Sequence, residues 1–104
     1  MASKKETLDF VLTQLDGIEN IKWRKMMGEY LIYYREKVVA GIYDDRFLVK
    51  LTPSSKKLLP DAAEELPYEG AKPMLSLSDL IFDEHSENNK LLKTVFESIY
   101  EQIK

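Results

Sequence analysis

The chain has 104 residues, 44% hydrophobic and 32% charged, the size of one domain with one core and far from a disordered composition. It contains no cysteine, which excludes disulfides, a cysteine nucleophile and thiolate metal sites. A formal net charge of −3 lacks the strongly basic footprint of a nucleic-acid binder.

No apolar stretch follows Lys4-Lys5, so no signal peptide is expected. No apolar run approaches the ~18 residues of a membrane span, and the expected location is cytoplasmic. Ser3 and Glu6 have the spacing of a capping box. Leu8, Val11, Leu12 and Leu15 then make one helical stripe, which predicts a helix from Lys4 to Asp16, with Gly17 at its C-terminal cap.

From Ile21 to Leu51 the hydrophobic period becomes two. Strands are predicted over Trp23 to Met27, Glu29 to Arg35, Val38 to Tyr43 and Arg46 to Leu51. The turns between them fall at Gly28, Arg35-Glu36-Lys37 and Asp44-Asp45. Thr52-Pro53 is a helix entry, with a hydroxyl cap before a proline at the first helical position. That helix is short because Pro60 interrupts it, and Asp61 to Leu66 is expected to add a turn. Lys72 to Leu77 reads as a short edge strand. Leu92, Val95, Phe96, Ile99 and Ile103 predict a final helix over Ser86 to Lys104.

Strands grouped in sequence, with helices outside them, argue for an α+β two-layer sandwich. The expected order is α-β-β-β-β-α-β-α, one antiparallel sheet packed on helices. Residues 1–104 are expected to form one domain.

Arg24-Lys25-Met26-Met27-Gly28-Glu29-Tyr30 resembles the signature run of TfoX N-terminal domains. The likeness continues through Tyr33, Val39-Ala40, Asp44-Asp45-Arg46, Leu48 and Lys50, and resumes at Pro67-Tyr68 and Gly70-Ala71-Lys72-Pro73-Met74. The resemblance implies a secretion-chaperone-like α+β sandwich. It also implies kinship with competence regulators, whose full-length members carry a second domain and act in activating genes for DNA uptake.

The candidate site residues are the polar members of these runs: Arg24, Glu29, Tyr30, Tyr33 and Lys50, with Asp45 beside them. They are expected either to line a groove, with Arg24 gripping a carboxylate or phosphate, or to be structural, with Arg24 and Glu29 paired across a turn. Gly28 and Gly70 match no phosphate-loop pattern and read as conformational. His85, the single histidine, lies in the acidic run Asp83-Glu84-His85-Ser86-Glu87 and reads as a surface residue. Asp44-Asp45 and Glu64-Glu65 are adjacent pairs whose side chains point apart, poor acid–base partners.

No catalytic constellation, metal site or cofactor is expected from these residues. Lys22-Trp23-Arg24-Lys25 is a basic cluster with an aromatic, read as solvated surface rather than a direct DNA contact. The expected function is a non-enzymatic interaction or regulatory domain linked to transcriptional regulation. It would act on a protein partner or a second copy through the sheet or its edge. The alternative is a small-ligand binder or enzyme with a pocket near Arg24, Glu29 and Tyr30.

Overall fold

Four consecutive strands joined by turns of two residues form the centre of the molecule. The computed structural model describes residues 3–77 and 87–103. Its elements are α1 (Lys5–Gln14), β1 (Ile21–Met26), β2 (Glu29–Tyr34), β3 (Lys37–Tyr43), β4 (Arg46–Lys50), α2 (Pro53–Leu58), β5 (Glu64–Glu65), β6 (Met74–Ser76) and α3 (Glu87–Gln102). All strands join one antiparallel sheet in the order β1-β2-β3-β4-β6-β5. The molecule is the α+β arrangement read from the sequence, with a two-residue strand added. His85, with Asp83, Glu84 and Ser86, lies outside the described residues.

Alternation along β2 separates two faces. Tyr30, Ile32 and Tyr34 of β2 are buried, as are Ile42, Phe47, Val49 and Leu75 in neighbouring strands. They pack with Leu8 and Val11 of α1 and Leu92, Val95, Phe96 and Ile99 of α3 into one apolar core. Each fully buried side chain of this kind contributes about 1.5–3 kcal/mol, so this layer dominates stability. The bulge between Ile32 and Tyr33 turns both Val39 and Ala40 into that layer.

Three local expectations fail for tertiary reasons. Asp61 to Leu66 adds no helical turn. Glu64–Glu65 pairs with β6 instead, held by Arg46 Nη1 donating to Glu65 Oε1 at 2.9 Å. Lys72 to Leu77 is not an edge strand: β6 lies between β4 and β5. Ser3 is no helix cap either, since the N-cap is Lys4, without a side-chain bond. Its hydroxyl donates to Glu29 Oε2 (2.8 Å) and accepts from the Asp45 N–H (3.1 Å).

Asp45 takes over the capping role from across the sheet, accepting from Lys4 N–H (2.7 Å) and Thr7 Oγ1 (2.8 Å) through Oδ1. These two donors, the Lys4 N–H first, hold its carboxyl below the usual aspartate range. The predicted cap of α2 forms as read. Thr52 Oγ1 accepts from Ser55 N–H (3.1 Å) while Thr52 N–H donates to Ser55 Oγ (2.8 Å).

Candidate functional site

The other face of the sheet carries no helix among the described residues. Register places Lys22, Arg24 and Met26 of β1 beside Tyr33, Leu31 and Glu29 of β2 on this face. Gly41, Leu48, Lys50 and Met74 follow across β3, β4 and β6. The segment carrying Leu66, Pro67 and Tyr68 is tied to this face by Arg46. Its guanidinium donates to the carbonyls of Leu66 (3.1 Å) and Pro67 (3.3 Å) as well as to Glu65.

A groove of about 770 Å³ remains, lined among others by Met26, Met27, Leu31, Tyr43 and Tyr68, with Glu29, Asp44 and Arg46 as its polar members. A second depression of about 410 Å³ adjoins it past Tyr43 and Tyr68 and includes Lys50 and Met74. The two tyrosine rings, 6.3 Å apart and inclined at 55°, form the ridge between them. Burial pushes the Tyr43 hydroxyl above its ordinary value, with Tyr68 and then the Glu29 carboxylate adding to the rise. It stays a neutral hydrogen-bonding group near neutral pH.

Gly41 explains how Tyr43 lies down. A Cβ at Gly41 would sit 2.5 Å from the Tyr43 ring, so the ring occupies the space that any other residue would fill.

The candidates from sequence do not converge. Tyr30 is buried on the helix side, where its ring meets Trp23 edge-on at 5.8 Å. Arg24 and Tyr33 stand on the open face but outside the groove, and Lys50 lines the second depression. A single pocket of Arg24, Glu29, Tyr30 and Tyr33 is therefore ruled out by the alternation of β2. Nor does Arg24 pair with Glu29. The Glu29 carboxylate instead accepts from Ser3 Oγ and from the Asp44 N–H (2.7 Å).

The residues that build the groove were legible only in part. Tyr43 carried no chemical motif, and Tyr68 and Arg46 entered only through the resemblance. Among the described residues, no group of three or more carboxylates or histidines could hold a metal ion. No helix there is long and apolar enough to cross a membrane.

Met27 is the most exposed apolar residue on this rim, 96% accessible and at φ +52°. It opens the β1–β2 turn, followed by Gly28 at φ +84°. Left-handed backbone costs an ordinary residue about 1–2 kcal/mol, and Met27 receives no burial in return.

The family model of the TfoX N-terminal domain matches residues 13–99. The chain is also 31% identical over 81 residues to an uncharacterised 12.7 kDa protein in the trpE 5′ region of Spirochaeta aurantia, covering 78% of this chain and 70% of that protein. The chain belongs to the TfoX N-terminal domain family.

Proposed function

We propose that this TfoX N-terminal domain is a non-enzymatic binding module, cytoplasmic and regulatory. It takes apolar side chains of a protein partner into the groove between the Met27 turn and the Tyr43–Tyr68 ridge. One observation carries the reading: Met27 is held in left-handed backbone and almost wholly exposed at the groove's rim. A methionine there is unfavourable for the isolated domain, and an adaptable thioether is well suited to an apolar contact with another molecule.

The polar groups of the groove favour binding over catalysis. Glu29 and Arg46 are already engaged by Ser3, Asp44, Glu65 and backbone carbonyls. Direct DNA binding is not part of this reading, given the net charge of −3. The regulatory role rests on the family kinship described above.

A photocrosslinking residue in place of Met27, expressed in the native host, is expected to yield one discrete adduct. Leu31→Glu should abolish it, and a crosslinker at exposed Glu101 should not form it. Purified partner and domain should then reproduce the adduct. Equal labelling from both positions, or an adduct indifferent to Leu31→Glu, would count against the groove.

A further inference from the structure

The sheet ends in two unlike edges. β5 is two residues long, and both its glutamates are engaged: Glu65 by Arg46 at 2.9 Å and Glu64 by Lys56 at 3.7 Å. β1 is six residues long and exposed at every position after Ile21. Its ladder to β2 uses only the backbone groups that point inward. Among the described residues, no other backbone hydrogen bond reaches residues 21–26. About half of this strand's N–H and C=O groups therefore face outward as a template for another strand.

Charge decides which strand fits. β1 carries Lys22, Arg24 and Lys25 and no acidic residue. Only Lys22 has an ion pair among the described residues, with Glu36 at 2.6 Å. Pairing β1 with a second copy of itself would set these cations against the same cations, which is unfavourable for directly opposed residues. A phosphate backbone would answer the charge but cannot match alternating N–H donors and C=O acceptors. A peptide strand with acidic side chains satisfies both.

Resting on the interaction reading above, we propose that the outer edge of β1 accepts an extended acidic segment of a partner protein as an added strand. Its carboxylates stand at alternate positions beside Lys22 and Arg24 on the open face. Its other side chains lie toward Trp23, which is 45% exposed and supported edge-on by Tyr30. The Met26–Met27 end of the same strand leads such a segment to the groove rim. Lysines on an edge also keep sheets from aggregating. Here the charges that prevent β1 from pairing with itself select an acidic partner.

The probe is a blocked peptide of about ten residues alternating glutamate with valine, titrated to about 1 mM against the whole domain with backbone-amide NMR. Shifts and exchange protection are expected at Ile21–Met26. The dissociation constant should rise about tenfold with lysine in place of glutamate in the peptide, and likewise for Lys22→Glu with Arg24→Glu in the domain. A peptide N-methylated at alternate backbone amides should not bind.

Equal binding of the N-methylated peptide, no binding at all, or competition by a single-stranded oligothymidine at the same residues would overturn the edge assignment. Shifts confined to Met27, Leu31 and Tyr68 would overturn it too, while leaving the groove reading intact. Adducts from Met27 that survive Lys22→Glu with Arg24→Glu would likewise overturn the edge assignment and leave the groove reading intact. Circular dichroism of that variant checks its fold.

Discussion

The β1–β2 and β2–β3 turns have the same backbone and opposite surroundings. Met27-Gly28 and Arg35-Glu36 each place two successive residues at positive φ, as two-residue hairpins with right-handed strand twist require. At the second turn the side chains return to the protein. The Arg35 guanidinium lies 5.2 Å from the Tyr34 ring and 5.6 Å from Tyr100, and Glu36 pairs with Lys22. Lys37 adds a contact to Tyr100 at 4.7 Å and donates to the Ile103 carbonyl at 3.0 Å. At the first turn, Met27 has no such return. Backbone strain offset within the molecule marks a structural turn, and strain left unrelieved on an exposed apolar residue marks a surface kept for something else.

The largest expected effect breaks the anchored turn. Tyr100 is half-buried and meets Tyr34 edge-on at 6.0 Å. Tyr100→Ala should cost about 2–3 kcal/mol in urea unfolding. Hydrogen exchange should quicken around Arg35 and not around Met27. Equal loosening at both turns would show that the comparison has no local basis.

Asp44-Asp45, the third turn at positive φ, is anchored through Asp45 to the start of α1. Asp45→Asn keeps an accepting oxygen and removes the charge at the start of α1, and should cost about 0.3–1 kcal/mol at neutral pH. Because the folded carboxyl titrates below its ordinary value, the unfolded chain binds more protons in that range, and stability rises with pH there. The Asp45 contribution is complete above the unfolded value of about 4 and is lost as pH falls through the lowered folded value. The stability gap between wild type and variant should therefore close on acidification. A gap constant down to low pH would show that the carboxylate charge contributes nothing.

The smallest effect sharpens the contrast most. Met27→Asn, placing a residue that tolerates left-handed backbone, should raise stability by about 0.5–1 kcal/mol. Arg35→Asn with Glu36→Gly should change it by less than about 0.5 kcal/mol, because the lost ring and ion-pair contacts offset the relieved backbone. Thermal unfolding of both variants measures the difference. Equal gains at the two turns would remove the reason for assigning Met27 a role.

Patterning along the chain was enough for the three helices and the four central strands, and for the face that β2 buries. Period two in Tyr30-Leu31-Ile32-Tyr33-Tyr34 and the helical stripe from Leu92 to Ile99 are local consequences of burying one side of a strand or a helix. The Thr52-Pro53 entry is likewise local, since a cap acts within one turn.

Only tertiary structure decided that Ser3 bonds Glu29 instead of capping its own helix, and that Asp45 caps that helix from another hairpin. The same holds for the segment after Pro60, which supplies a strand and ties Pro67 and Tyr68 to the open face through Arg46. These contacts join residues more than ten positions apart, where partners are chosen by the assembled geometry and leave no periodic trace in the sequence. The groove is made of such contacts; one part of it is local, since the Tyr43 ring lies over Gly41, two residues earlier in the same strand, which has no side chain.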